Sequence, residues 1–294
     1  MIRKYVYIIL LIGFIYSCKS KDVSMMEKIQ GDWVSDVAHD GKHDNRYVFS
    51  FEDTLCSYMY AWGEYTRFYI KGDTLSIKEG RNYFFNTLAA KKTYSFKILA
   101  LTEDSLVISP CTKLENELFE VFNVPTKKLI LHKIKEKNKI KPIRISFSSS
   151  RCFGDCPEMM LEIDSNRAVL FEGQYSTDKI GSYKGFISTH EYELLLNKIS
   201  ILPIDSIKRE YTPFQADGQV YVVFIDYKNK SLQSFVSGSD KVPIELSILV
   251  HKLMELYKRI ELKKDSIQPT DFKHYEMLKA VSPPMIPPPP LFYK

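Results

Sequence analysis

Two cysteines separated by three residues, Cys152 and Cys156, are the part of this sequence best suited to chemistry. Their spacing allows a disulfide that closes a small loop, in which Gly154 lets the chain turn sharply. The same pair could act as a redox dithiol, because the adjacent Arg151 would lower the pKa of a cysteine thiol. Two cysteines without a nearby histidine are an incomplete set of zinc ligands. The pattern favours a structural disulfide, with a redox dithiol and a metal site as alternatives.

No residue is predicted to be catalytic, and none to bind a metal or a cofactor. The sequence lacks the motifs of serine hydrolases, zinc peptidases, phosphate loops and dinucleotide-binding domains. The run from His39 to Asp44 contains two histidines and two aspartates, which are possible zinc ligands. Its glycine and aspartate content is more typical of an exposed hairpin loop, which is what we expect there.

The N-terminal residues have the pattern of a signal peptide over residues 1–17. Arg3 and Lys4 are positive, and the apolar run 5–16 is too short to span a bilayer comfortably. A serine and then Cys18 follow, which resembles the signal of bacterial lipoproteins and implies lipidation of Cys18. Secretion without lipid is the alternative. We expect a lipid-anchored protein of the cell envelope, at the outer membrane on its periplasmic or surface face.

The remaining cysteines are expected to form disulfides. If Cys18 carries lipid, four cysteines remain, which is an even number in an oxidising compartment. Four cysteines allow three pairings. The pairing that respects the domain boundary given below joins Cys152 to Cys156 and Cys56 to Cys111.

Composition indicates a globular, β-rich chain without a nucleic-acid partner. The 294 residues suffice for two modest domains after the signal, and 19 tyrosines with 18 phenylalanines suit β-structure. Loss of Arg3 and Lys4 with the signal lowers the net charge from +5 to about +3. This charge is too small to indicate binding to nucleic acid.

Residues 24–135 are predicted to form an all-β, antiparallel barrel. Short segments with alternating apolar residues, such as Tyr94–Ile98, repeat along this region with turn signals between them. Closure into a barrel would remove the exposed edges of the sheet. Leu118–Phe122 and Leu129–His132 are the last predicted strands, and no long helix is expected among the strands.

This region is similar to a known kind of domain. The opening Ile29-Gln30-Gly31-Asp32-Trp33, with the later Gly-Asp-Thr-Leu-Ser-Ile and Leu-Thr-Glu-Asp-Ser-Leu-Val-Ile, resembles the small lipocalin-like domains of bacterial lipoproteins. The resemblance implies a barrel with Trp33 plugging one end. Such barrels are filled by their own side chains or hold one small apolar ligand.

A polar linker, residues 136–142, is predicted to lead into an α+β domain over residues 143–261. Four strands come first, followed by a helix from Ser188, which the capping-box residue Glu191 supports. A hairpin and a last helix from about Pro243 complete the order ββββαββα. This order predicts an antiparallel sheet with helices on one face.

The cysteine motif also carries a family resemblance. The string Ser150-Arg151-Cys152-Phe153-Gly154-Asp155-Cys156-Pro157, with Met160-Leu161-Glu162-Ile163 and Phe171-Glu172-Gly173, resembles a bacterial domain of unknown function marked by Cys-Phe-Gly-x-Cys-Pro. The resemblance covers residues 143–260. It implies an architecture and brings no established activity.

Residues 262–294 are predicted to be a proline-rich tail. Its run Pro283–Pro290 should adopt polyproline II, either as a stiff exposed segment or docked on an aromatic groove of a partner.

The expected function is non-catalytic. It is binding or assembly at the envelope, with a small apolar ligand in the barrel or an envelope protein at the tail, and the membrane reached through lipid on Cys18. The alternative is a thiol oxidoreductase that uses Cys152 and Cys156.

Overall fold

The computed structural model describes residues 21–36, 38–39, 44–59, 64–78, 93–121, 127–152, 154, 156–211, 218–237 and 241–279. The predicted signal peptide, Cys18 and the proline run lie outside these residues. The chain divides into two compact units, the first made of residues 1–82 and 87–134 and the second of residues 83–86 and 135–294. Among the described residues, no helix combines the length and the apolar character needed to cross a bilayer.

A closed barrel of eight antiparallel strands forms the first unit and confirms the predicted barrel. Its strands in chain order are β1 (Gly31–Ser35), β4 (Val48–Glu52), β5 (Leu55–Met59), β6 (Thr66–Lys71), β7 (Thr74–Lys78), β8 (Thr93–Leu101), β9 (Ser105–Pro110) and β10 (Leu129–Lys133). A small hairpin of β2 (Ala38–His39) and β3 (Asp44–Asn45) is inserted between β1 and β4. Strand β1 pairs with both β4 and β10, which closes the barrel.

Inward side chains of the barrel form one apolar cluster. Strand β6 shows the alternation behind it, because Phe68 and Ile70 are buried whereas Tyr69 between them is half exposed. Trp33 is fully buried, and its indole Nε1 donates to the Ile29 carbonyl at 2.7 Å. This bond ties β1 to the preceding helix α1 (Lys21–Ile29). The first unit is therefore organised around aromatic residues that bury one another.

A second helix, α2 (Lys113–Val121), corrects the prediction of a strand at Leu118–Phe122. Its start is stabilised by a capping box, because the Glu115 carboxylate accepts from the Thr112 backbone N–H at 2.8 Å and from the Thr112 hydroxyl at 2.5 Å. Phe119 then stacks on Phe96 of β8, with ring centroids 5.7 Å apart. A helix satisfies both the cap and this apolar contact, whereas a strand would satisfy only the alternation.

The second unit is built on an open sheet of eight strands. These are β11 (Arg144–Ser149), β12 (Glu158–Asp164), β13 (Ala168–Tyr175), β14 (Gly181–Phe186), β15 (Glu210–Tyr211), β16 (Val220–Tyr227), β17 (Lys230–Ser237) and β18 (Glu261–Lys264). Their spatial order is β15-β17-β16-β11-β12-β13-β14-β18. Neighbours are antiparallel except β15 and β17, which run parallel.

Three helices accompany this sheet in the described residues, α3 (Thr189–Ser200), α4 (Ile244–Leu256) and α5 (Tyr275–Lys279). Two 3-10 turns, Ile204–Ser206 and Pro269–Asp271, complete the unit. The predicted order ββββαββα therefore lacks β15, β18 and α5. The first predicted helix begins as expected, with the Ser188 hydroxyl accepting from the Glu191 N–H at 3.1 Å.

Both faces of the central strands are covered. Phe171 on β13 stacks on Tyr257 at the end of α4, with centroids 4.7 Å apart, so α4 lies on that face. Met160 and Val222 point to the other face, because strand side chains alternate, and they cluster there with Phe272 and Leu278. We call residues 265–279 the C-terminal strap. The prediction of helices on one face only is wrong for α5.

The predicted start of the tail at residue 262 is also wrong. Strand β18 pairs with β14, and the strap buries Phe272 and Leu278 against the sheet. An apolar sheet face must be covered, and the strap supplies the cover.

The predicted linker 136–142 contains no helix or strand, yet it is held to the second unit. The side-chain amide of Asn138 donates to three carbonyls at the end of α3, those of Ile199, Ser200 and Leu202, at 2.8–3.1 Å. The last carbonyls of a helix lack partners within it, so these bonds make the linker a cap for the end of α3.

Candidate functional site

Cys152 and Cys156 form a disulfide, with their Cα atoms 5.5 Å apart. They lie in the connection between β11 and β12, two central strands of the second unit. The bond closes the loop that the sequence spacing predicts. Gly154 is exposed at its tip, and its N–H donates to the Cys152 sulfur at 3.2 Å.

The predicted pairing of Cys56 with Cys111 is wrong, because both cysteines are free thiols in the structure. Cys56 lies on β5 inside the barrel and is fully buried. Cys111 is exposed, just after β9. Strands β6, β7 and β8 separate β5 from β9 around the barrel, so the two sulfur atoms belong to different environments.

Hydrogen bonds fix both ends of the cysteine loop to the sheet. At one end, the Ser150 hydroxyl accepts from the Val220 N–H of β16 at 2.9 Å. At the other end, the Pro157 carbonyl accepts from the Ser149 hydroxyl at 2.6 Å and from the Gln219 amide at 2.7 Å. The two ends of the loop are therefore held by hydrogen bonds as well as by the disulfide that joins Cys152 to Cys156.

The Arg151 side chain contacts two neighbouring side chains. Its guanidinium pairs with the carboxylate of Glu158, whose side chain is buried, and lies 4.5 Å from the centroid of the Tyr175 ring. The Glu158 carboxylate balances the positive charge of Arg151. This pairing weakens the expectation that Arg151 activates a cysteine thiol.

A cavity of about 400 Å³ opens beside this loop, between the sheet and the strap. Strands β11, β12 and β13 supply one wall, and α5 supplies the other. The floor is apolar, because the buried side chain of Met160 faces the strap there beside Leu278. Gln174 and Lys279 are exposed at its rim, with Tyr275 half-buried between them. The volume lies within the range of about 300–1,000 Å³ typical of ligand pockets.

The cavity holds no nucleophile–base pair among its described lining residues. Its two serine hydroxyls are engaged with the backbone: Ser148 donates to the Leu278 carbonyl at 3.0 Å and Ser149 donates to Pro157. None of the described lining residues is a histidine. Its side chains are suited to hydrogen bonding and apolar contact, which is binding chemistry.

Two acidic residues of the sheet, buried Glu162 and half-buried Asp226, hold the centre of the strap. Glu162 accepts from the Lys273 N–H at 3.1 Å, and its carboxylate is held by Arg144 and by the Ser146 hydroxyl. Asp226 lies next to the strap residue His274 and is described below. The strap is therefore fixed to the sheet through polar contacts as well as through Phe272 and Leu278.

Asp226 is the titratable group whose environment is most directly tied to the strap. Its Oδ2 lies 3.0 Å from Nε2 of His274, and its Oδ1 accepts from the Ser231 hydroxyl at 2.7 Å. Burial favours the neutral acid, but these hydrogen bonds and the nearby charges of His274 and Lys273 hold the pKa of Asp226 below its ordinary value of 3.8. The His274 ring also stacks on Phe224 at 4.5 Å.

Within the described residues, no group of three or more His, Cys, Asp or Glu side chains is arranged to hold a metal ion. Residues 40–43 of the predicted hairpin loop lie outside the described part of the chain.

Fold and site together define a mostly β protein of two units, with a disulfide-closed loop beside a cavity in the second. Residues 143–257 match the family model of DUF6438, a domain of unknown function. This match confirms the resemblance to an uncharacterised domain. No curated protein matches the chain significantly.

The match ends at Tyr257, before β18 and the strap. One wall of the cavity therefore comes from the matched domain and the other from residues that follow it. The sequence prediction missed the strap wall. The sequence does contain a signal for a second cover, the run Val220–Ile225. Odd- and even-numbered residues of this run are all apolar, so both faces of the strand need to be covered.

Proposed function

We propose that this protein is a non-catalytic binding or assembly protein of the cell envelope, anchored by lipid on Cys18. The observation that carries the proposal is the Cys152–Cys156 disulfide beside the cavity. Disulfides persist in oxidising compartments, which supports a location outside the cytosol. A bonded pair with its neighbouring arginine neutralised supports a structural role, and the cavity offers the place where a protein partner binds.

A small apolar ligand in the barrel belongs to the same proposal, as does the lipocalin-like character of the first unit. The inward aromatic side chains of the described strands bury one another, as Phe49, Phe51 and Phe96 illustrate. This packing favours the cavity of the second unit as the main binding site. Solvent extraction of the purified protein followed by mass spectrometry tests the barrel: a stoichiometric lipid would shift the assignment to the first unit.

The anchor is tested by the mature N-terminus and by fractionation. We expect mass spectrometry to find an acylated Cys18 as the first residue, and Cys18→Ser to move the protein from the membrane fraction to the soluble fraction. Cys111→Ser is the matched control and should leave fractionation unchanged, because Cys111 lies in the first folded unit. An unmodified Cys18 in the native protein would overturn the anchor.

The partner site is tested by photo-crosslinking in intact cells. A photoreactive amino acid at Gln174, on the cavity rim, should give a discrete crosslinked species that contains an envelope protein. The same group at Glu193, exposed on α3, is the control and should not give this species. Equal crosslinking from both positions, or none from Gln174, counts against the cavity as the partner site.

A thiol oxidoreductase is the second candidate, and one contact favours it. The Gly154 N–H that lies 3.2 Å from the Cys152 sulfur would stabilise a thiolate there. In such a reaction an external thiol, which is itself oxidised to a disulfide, first reduces the Cys152–Cys156 bond. The reduced Cys152 then attacks a substrate disulfide, and Cys156 resolves the mixed disulfide. The protein pair is oxidised as the substrate gains two electrons and leaves as two thiols. Turnover of a disulfide substrate that disappears in Cys152→Ser would establish this candidate and defeat the binding role.

A further inference from the structure

We infer that the cavity beside the cysteine loop binds a polyproline II segment, and that its occupant in the free protein is the chain's own run Pro283–Pro290. This inference rests on the proposed binding role of the cavity and names its ligand class. It comes from three features: where the described chain ends, the chemistry of the lining, and the balance of charge.

The last described residue, Lys279, lies in the wall of the cavity. Tyr275, Leu278 and Lys279 of α5 line the cavity, and Lys279 is the last described residue. Pro283 is four residues further along the sequence, and four residues of extended chain span at most about 14 Å. The proline run is therefore tethered at the cavity and has only a short distance to cover.

The lining suits a polyproline segment. Such a segment forms no internal hydrogen bonds, so its carbonyls need external donors, and it docks on aromatic-lined grooves. The Gln174 amide donates to Glu172 at 3.3 Å and has a second N–H at the rim, where the Tyr275 hydroxyl is another donor. Lys279 Nζ lies 5.8 Å from the centroid of the Tyr275 ring, whose opposite side offers an aromatic face. Met160 forms the apolar floor, and methionine side chains adapt to irregular apolar ligands.

The charges match as well. Residues 280–293 contain no charged side chain. In the cavity, Glu158 is paired with Arg151, and the other two charged lining residues, Glu276 and Lys279, are exposed to solvent. An uncharged apolar ligand therefore leaves no buried charge without a counter-charge, which would be costly.

Because the proline run is covalently linked to the cavity wall, even weak binding between the two is sufficient for occupancy. A short linker gives an effective concentration on the order of millimolar, so a site of modest intrinsic affinity is filled from the same chain. A free peptide of the same sequence must then compete with the tail. Removal of the tail should open the site.

The test uses a fluorescein-labelled peptide of residues 281–294 and measures its anisotropy with three proteins. These are the mature chain, a chain that ends at Lys279 and keeps every described residue, and a mature chain with Pro283–Pro290 replaced by glycine and serine. We expect the two altered chains to bind the peptide at least tenfold more tightly than the mature chain. Equal binding by all three, or no binding by the shortened chain, overturns the inference.

A cavity variant locates the binding. In the shortened chain, Gln174→Trp should weaken peptide binding at least tenfold, because a larger side chain fills the rim. Glu193→Trp on α3 is the matched control and should change it less than twofold. Near-ultraviolet circular dichroism checks that both variants are folded. Binding that is insensitive to Gln174→Trp overturns the assignment to this cavity.

Light scattering separates occupancy within one chain from exchange between chains. We expect the mature chain to be a monomer. A dimer that dissociates when the tail is removed overturns occupancy within one chain. If the peptide fails to bind while crosslinking from Gln174 to an envelope protein persists, the polyproline ligand is wrong and the binding role survives. If neither peptide binding nor the crosslink from Gln174 is observed, both the polyproline ligand and the proposed binding role are wrong.

Discussion

At the residue scale, the contribution of the Cys152–Cys156 disulfide to the free energy of unfolding can be measured directly. The bonded cysteines are four positions apart, and closing so small a ring stabilises a fold by about 2 kcal/mol through loop entropy. We expect Cys152→Ser with Cys156→Ser to lower the free energy of unfolding of the second unit by about this amount in urea. Cys111→Ser is the control, since Cys111 is exposed and free. A comparable loss in the control would contradict the structural role of the disulfide.

The four described cysteines should differ sharply in reactivity. Burial raises the pKa of the Cys56 thiol well above its ordinary value of 9.0 and shields it from reagents. Partial burial, with the negative charges of Glu115 and Asp73, also raises the pKa of Cys111, but its side chain is accessible. At pH 8 we expect a maleimide to modify Cys111 in the folded protein, Cys56 only in denaturant, and the bonded pair only after reduction. Mass spectrometry of peptides reads the result, and native labelling of Cys56 would contradict the barrel core.

These residues show what a sequence can predict about a pair. Cys152 and Cys156 are so close in the chain that their contact follows from spacing alone. The predicted pairing of Cys56 with Cys111 rests on an even count of cysteines and on the domain boundary. A count carries no information about which side of a strand a cysteine faces, and the barrel places these two residues in different environments.

At the element scale, His274 is the residue that should decide how firmly the strap is held. Its ring stacks on Phe224 and its Nε2 lies beside Asp226. In His274→Ala both contacts are lost, so we expect amide hydrogen exchange in the strap, at Lys273 and Leu278, to become at least tenfold faster. His190→Ala, an exposed histidine on α3, is the matched control. Unchanged exchange in His274→Ala would mean that the apolar contacts alone hold the strap.

The stability of the strap should also depend on pH. The pKa of Asp226 is lower in the folded protein than in the unfolded chain, so the unfolded chain takes up the proton first as the pH falls. The contribution is complete above about pH 5 and is lost as the pH falls through the lowered pKa. Asp226→Asn should therefore cost about 1–3 kcal/mol at pH 7 and progressively less as the pH falls through the lowered pKa. Asp265→Asn, which alters a surface pair with Lys184, should cost less than about 1 kcal/mol at each pH. Urea titrations at several pH values measure both.

The elements differed in how well their sequences specified them. Alternating strands such as β8 were predictable because one face is buried and the other is exposed. Helix α2 was missed although Thr112 and Glu115 have capping-box spacing, because its last residues also fit a short strand. The strap was missed because Phe272 and Leu278 are isolated apolar residues in a polar segment, and only the uncovered sheet face explains them.

At the scale of the whole molecule, each unit has its own core, so a core variant should affect the thermal transition of its own unit. Trp33 is fully buried, and its indole N–H bonds to Ile29. We expect Trp33→Ala to destabilise the first unit by about 3–5 kcal/mol and to leave the transition of the second unit in place. Differential scanning calorimetry measures both transitions. Tyr69→Ala, on the outer side of β6, is the control and should shift neither much. An equal downward shift of both transitions in Trp33→Ala would contradict separate cores.

The plan of two folded units was predictable from the change in pattern along the chain, and the cavity was not. A cavity arises where a segment distant in sequence closes against a sheet, and its volume depends on packing that spacing does not encode. Here β12 and α5 face each other across more than a hundred residues.

The open sheet of the second unit has one further consequence, for how the molecules behave when crowded. Its last strand, β18, has only four residues, and Glu261, Lys263 and Lys264 are charged. Short edges that carry charge discourage a neighbouring molecule from extending the ladder of backbone hydrogen bonds. In concentrated solution, fibre growth by strand pairing at the β18 edge is therefore disfavoured. Neutralising Lys263 and Lys264 should make such solutions aggregate sooner.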